Sequence, residues 1–244
     1  MTARERIILA LDVDTADEAV SLANQLKDHV GAFKVGLELI NAAGFDIFSR
    51  LKDAGVDRIF YDPKFHDIPN TVAGACRAAA KYGPWMINVH ASGGKRMIQA
   101  AADALKSSAA DRGVAPPVLL GVTVLTSIAQ EELNCELRVP GSAAVQVANL
   151  AKLTKEAGGN GVVASPHEIT TIRETCGQDF IIVAPGVRPA GTDAADQRRT
   201  MTPGEAVRLG ADYLVIGRAI TAATDPIFAT DSIIAEIENE LGKR

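Results

Sequence analysis

The chain is poor in the residues that several functional classes require. It has three cysteines in 244 residues, one tryptophan and only 5% aromatic side chains. Cys76, Cys135 and Cys176 are odd in number, widely spaced and without a CxxC pair, which excludes a disulfide framework or a thiolate zinc site and fits a reducing cytoplasm. Each reads by type as a small buried hydrophobe rather than a nucleophile. Tyr61, Tyr82 and Trp85 are too few and too scattered to form a base-stacking platform. Positive charge is also in deficit, with 25 Lys and Arg against 30 Asp and Glu and a net charge of −5 at pH 7. Such a surface lacks the field that nucleic-acid or anionic-membrane binding needs, so an anionic ligand must be small and met by a few local cations. No apolar run reaches the ~18 residues that span a bilayer. The opening MTARERIILALDVD, charged on both sides of a short apolar run, reads as neither a signal peptide nor a membrane anchor. No two of the four histidines show metal-ligand spacing.

What is present is a large apolar fraction in a repeating order. At 47% hydrophobic and 23% charged residues the chain is an ordinary globule, and area scaling for its size allows roughly 70% of the extended surface to be buried. Eight short β-branched runs recur: Ile7–Leu11, Phe33–Val35, Arg58–Tyr61, Met86–Val89, Val118–Val122, Gly161–Ala164, Phe180–Ala184 and Tyr213–Ile216. Between them lie stretches with helical spacing, clearest over Asp17–Lys27, Phe45–Ala54, Thr71–Ala80, Lys95–Ser108, Ala143–Ala157 and Pro203–Leu209. Thr202 before Pro203 has the N-cap and first-turn residues of a helix start. Strands apolar along most of their length and separated by helices predict a helix-covered parallel sheet. Eight such units fit an α/β fold of the (β/α)8 TIM barrel type, expected to span 1–244 as one domain. An open doubly wound sheet is the rival architecture, but its first strand should enter a GxGxxG turn, and here it enters Asp12-Val13-Asp14-Thr15.

Barrel active sites lie at the C-terminal ends of the strands. The residues there are Asp12, Lys34, Asp62, Lys64, His90, Thr123, Thr126, Ser165, Arg188 and Arg218. The third run ends in DPKFHDIPNT, where the two-residue period of extended chain puts Asp62 and Lys64 on one side. Lys34, within Phe33-Lys34-Val35, is expected to face inward, because on the helix-covered face it would be buried without a partner. With Asp67 these residues can alternate in a charge network; the same spacing also allows unconnected rim ion pairs. Arg188 in PGVR and Arg218 in IGR follow the seventh and eighth runs, the usual phosphate position of this fold. The polar segment 188–202, with Gly191, Thr192, Gln197 and Arg198, has the length and composition of a flap over a phosphate.

Taken together, DPKFHDIPNT, LALDV, FKVG, VTVLTS, PGVRP, DQRR and GADYLVIGR, in that family's order, resemble the orotidine 5′-monophosphate decarboxylase family in its bacterial form. The likeness runs from Ile7 to Ile220. Pro63 departs from the leucine common there, with its side chain expected to point away from the site. The resemblance implies a homodimeric carboxy-lyase that converts orotidine 5′-monophosphate to UMP and CO₂ in pyrimidine biosynthesis, with no metal and no organic cofactor. Lys64 would protonate C6, Asp62 would lie near the departing carboxylate, Lys34 would join the network and contact ribose, and Asp12 would bind a ribose hydroxyl. Asp67 and Thr71 would reach into the neighbouring subunit's site. Thr126, with Ser127 as its alternative, would bond the pyrimidine. Gln197 would bridge flap, base and phosphate, while Arg188, Arg218 and the Gly217 backbone would hold the phosphate. A metal-dependent sugar-phosphate decarboxylase or aldolase of the same barrel superfamily is the nearest rival, and it needs an acidic metal ligand where this chain has Lys34.

Overall fold

The computed structural model describes residues 1–189 and 201–243. Eight strands follow one another in chain order around a closed barrel: β1 (Ile7–Ala10), β2 (Ala32–Val35), β3 (Ile59–Phe65), β4 (Met86–His90), β5 (Val118–Val122), β6 (Gly161–Val163), β7 (Ile181–Pro185) and β8 (Tyr213–Ile216). Parallel pairing of β1 with β8, Ile8 opposite Val215, closes the sheet on itself and rules out the open doubly wound alternative. The intervening helices are α1 (Ala16–Leu26), α2 (Leu37–Ala43), α3 (Ile47–Asp53), α4 (Pro69–Ala80), α5 (Lys95–Arg112), α6 (Gln130–Cys135), α7 (Ala143–Glu156), α8 (Ile169–Cys176), α9 (Pro203–Leu209), α10 (Arg218–Thr221) and α11 (Pro226–Leu241). No described helix is long and apolar enough to cross a membrane.

The chain divides into two compact units, Met1–Pro63 with Gly186–Arg244, and Lys64–Pro185. In the first, β1 is buried along its whole length. Helix α1 starts where the Thr15 hydroxyl accepts the Glu18 N–H, and it buries Ala19, Ala23 and Leu26, the one-face spacing of an amphipathic helix. The expected helix over Phe45–Ala54 is shorter, Ile47–Asp53, and is preceded by α2, which the periodicity did not show; Gly44 separates them. Helix α9 matches its expected bounds and starts with the Thr202 hydroxyl and Glu205 carboxylate in a reciprocal capping box. Helix α11 was also not read from the sequence; Asp225 caps it, and Ile233 and Ile237, one turn apart, are buried. Phe48 and Phe60 are among the largest fully buried side chains of this unit, and truncating Phe48 to Ala would cost about 3–5 kcal/mol.

In the second unit, α4 begins with Pro69 at its first turn, two residues ahead of the expected Thr71, and α5 continues past Ser108 to Arg112 before Gly113 ends it. Met97, Ile98, Ala101, Ala102 and Leu105 form the buried face of α5. Cys76 on α4 and Cys176 at the end of α8 are buried as expected. Burial pushes the Cys76 thiol up to about 12, so it is inert as a nucleophile at neutral pH. Cys135 does not fit that expectation, because it ends the short helix α6 and is exposed.

Candidate active site

Register brings the first group of charges together. Ala10 lies opposite Lys34, and Lys34 opposite Phe60. Residues directly opposite in a parallel sheet share a face, and so do residues two apart along a strand. Asp12 is two residues beyond Ala10, and Asp62 two beyond Phe60, so both carboxylates flank the forward-reaching lysine stem. The Lys34 ammonium lies 2.8 Å from Asp12 Oδ1 and 3.7 Å from Asp62 Oδ2. Lys34 and Asp62 are each only 7% exposed, deep enough that each requires the other's charge. Lys34 thus pairs with Asp62, a member of the expected network, and with Asp12, which that network did not include, in an Asp12–Lys34–Asp62 chain. Beside it Phe45, Phe48 and Tyr61 form an aromatic cluster, with Phe48 and Tyr61 edge to face at 5.5 Å, that fixes β3 just before Asp62. Burial raises the Tyr61 phenol, which keeps it neutral near pH 7.

Gly36 is required by close approach. A Cβ there would come within 2.6 Å of Lys34 Nζ and 3.4 Å of Asp12 Oδ1, so any side chain would displace the ammonium. Gly186 is required by conformation, since its φ of 77° makes the turn that leads to Arg188. Arg188 is half-buried, and its N–H donates to the Met201 carbonyl at 3.1 Å, tying together the two sides of the 190–200 segment. Gly191, Thr192, Gln197 and Arg198, expected in the flap, lie outside the described residues. Gly217 precedes α10, whose first residue is the exposed Arg218.

The second unit holds the remaining candidates. Lys64 is half-buried, and its φ of 50° takes it out of extended geometry. The two-residue alternation presumes extended geometry and so does not by itself place the Lys64 side chain. Instead, the Lys64 N–H donates to Oδ1 of Asn88 at 2.8 Å. Asn88 is fully buried within β4 and was missed as a site residue; its signal is a lone amide inside Met86-Ile87-Asn88-Val89. Asp67 is exposed and accepts the Ile68 N–H at 2.6 Å, ordering the entry to α4, and Thr71 is exposed in that helix's first turn. His66 and His90, which carried no assigned role, meet with ring centroids 5.4 Å apart.

Two candidates hydrogen-bond to the backbone. The N–H and hydroxyl of Thr123 both donate to the Val163 carbonyl at 3.1 Å, finishing the β5–β6 ladder. Ser165 accepts the His167 N–H and caps the short turn Pro166–Glu168. Thr126 is exposed in the loop after β5.

Comparison with known proteins gives the family. A family model described as "Orotidine 5'-phosphate decarboxylase / HUMPS family" matches residues 5–233. The chain is 55% identical over 238 residues to a Moorella thermoacetica protein named orotidine 5'-phosphate decarboxylase, covering 98% of this chain and 94% of that one. A Syntrophomonas wolfei protein of the same name is 48% identical, over 98% of this chain and all (100%) of its own length. A crystal structure of orotidine 5'-phosphate decarboxylase from Lactobacillus acidophilus superposes with a TM-score of 0.83 at 40% identity, covering 95% and 98% of the two chains. With the match extending over nearly the whole barrel, the chain belongs to the orotidine 5'-phosphate decarboxylase / HUMPS family.

Proposed function

We propose that this chain, working as a single barrel domain over 1–244, decarboxylates orotidine 5′-monophosphate to UMP and CO₂, the last step of de novo pyrimidine nucleotide synthesis. The relatives that carry the name support the substrate. One observation separates this reading from the metal-dependent rival of the same superfamily: the Lys34 ammonium fills the place between Asp12 and Asp62. A cation bridging those carboxylates would meet a fixed positive charge there, and an ammonium cannot ligate a metal.

Loss of CO₂ leaves an electron pair at C6 with no adjacent carbonyl or imine to delocalise it, so stabilisation must be electrostatic. A unit cation about 4 Å away contributes on the order of 4 kcal/mol at an effective dielectric of 20. Lys64 is assigned that charge and the proton that C6 then receives. Asp62 stands by the departing carboxylate. Lys34, held by Asp12 and Asp62, contacts the ribose, and Asp12 takes a ribose hydroxyl. Thr126 bonds the pyrimidine. Arg188, Arg218 and the Gly217 backbone hold the phosphate, and Gln197 links it to the base. Binding the remote phosphate supplies energy that segment closure can express at the reacting carbon. The reading includes a cytoplasmic homodimer in which Asp67 and Thr71 serve the partner's site, both being exposed in this chain; sedimentation as a monomer at assay concentration would remove that part.

Lys64→Ala tests the assignment. The electrostatic contribution alone predicts at least about a 10³-fold loss of turnover, with an unchanged unfolding transition. Turnover within tenfold of wild type would remove Lys64 as the proton donor.

A further inference from the structure

Lys64 and Asn88 meet through a backbone-to-side-chain hydrogen bond. Asn88 lies in the middle of β4, which pairs with β5 along Met86 to His90, and it is the one polar residue among four consecutive fully buried ones. A buried amide is retained only where it is hydrogen-bonded. Its carbonyl oxygen takes the Lys64 N–H at 2.8 Å. Lys64 is also one of two described non-glycine residues with positive φ, a region disfavoured for any residue with a Cβ. Strained backbone of this kind persists only where surrounding contacts impose it. The residue before it, Pro63, has no N–H, so the Lys64 N–H is the first donor that β3 offers beyond Asp62.

We infer that Asn88 is a positioning residue for the reaction: its side-chain carbonyl holds Lys64 in the left-handed conformation and so sets the direction in which the ammonium is delivered. This deepens the decarboxylase reading and rests on it. The physical reason is leverage. The Cα–Cβ direction turns with φ, and a lysine ammonium lies about 6 Å beyond its Cα, so a relaxation of about 30° displaces it by about 3 Å. Misplacing a reacting group by even ~1 Å costs on the order of 10²-fold in rate. Groups assigned to phosphate and ribose stand on other segments, so substrate affinity does not depend on this hydrogen bond.

The test compares wild type, Asn88→Ala and Asn88→Asp for kcat and KM with orotidine 5′-monophosphate, alongside amide hydrogen exchange at Lys64. Expected for Asn88→Ala is a fall in kcat of about 10²-fold with KM within about threefold, and at least tenfold faster exchange at Lys64 while Ile87 and Leu120 keep their protection. Asn88→Asp retains the acceptor and should recover at least tenfold of the lost kcat. A wild-type kcat in folded Asn88→Ala, or equal losses in the Ala and Asp variants, would overturn the inference. Should Asn88→Ala not fold, unprotected exchange at Lys64 in the wild type would overturn it, and protection there with an active Asn88→Asp would support it. Inactive wild type would instead count against the decarboxylase reading, with the Lys64 exchange result standing independently.

Discussion

Removing Lys34 should unbalance the buried charges more than its two partners' distances imply at first sight. Asp12 is nearer, at 2.8 Å, but its side chain is 49% exposed, and unit charges at that separation in water attract by only about 1.5 kcal/mol. Asp62 is farther, at 3.7 Å, with a side chain 10% exposed; at an effective dielectric of 20 that pair is worth about 4.5 kcal/mol before desolvation is subtracted. The Asp62 pair therefore dominates. Lys34→Met leaves the Asp62 carboxylate buried and without that countercharge, a change that costs about 3–5 kcal/mol, or a fall in Tm of roughly 10 °C for a chain of this length. Lys34→Met combined with Asp62→Asn removes both charges and should recover at least half of the loss. Thermal and urea unfolding of wild type, both single variants and the double variant give the coupling energy directly. A double variant no more stable than Lys34→Met would show that the two charges are not coupled.

Two further outcomes follow from burial. Reaction with a thiol reagent at pH 8 should modify one of the three cysteines quickly, the exposed Cys135, and the other two only on unfolding, since Cys76 is buried with its thiol pushed up to about 12; rapid reaction of Cys76 in the native state would contradict that environment. Burial also raises the Glu168 carboxyl, whose Oε2 has no hydrogen-bond partner among the described residues. An acid with a raised folded pKa contributes most favourably below its unfolded value of about 4.3 and loses that contribution as pH rises through the folded value. Glu168→Gln should therefore match wild type near pH 4 and gain stability relative to it by about 1 kcal/mol at pH 8; a relative loss at pH 8 would reverse the sign and refute the assignment.

The barrel was legible because its strands are apolar on both faces and separated by helical stretches, and no short-range ambiguity alters that alternation. Lys34 was legible for a related reason, since a lysine inside an apolar run must find a countercharge, and register supplies Asp12 and Asp62. Helix α2 was hidden because the chain is broken after seven residues by Gly44, too short a stretch for a clear period. The left-handed backbone at Lys64 could not be read, because alternation presumes extended geometry and nothing local to Pro63-Lys64-Phe65 announces its failure. Asn88 acts 24 residues away in sequence, and His66 meets His90 across the same distance, so both depend on tertiary placement. Thr123 and Ser165 were nominated by position at strand ends, which does not reveal that their hydroxyls are already committed to the backbone.

The most direct test of the central claim is to follow conversion of orotidine 5′-monophosphate by the purified wild-type chain in excess EDTA, with UMP and CO₂ quantified together. Stoichiometric UMP and CO₂ at a rate unaffected by the chelator is the expected result. Absence of turnover by folded protein would contradict the decarboxylase assignment, and turnover abolished by EDTA and restored by a divalent cation would favour the metal-dependent chemistry of the barrel superfamily.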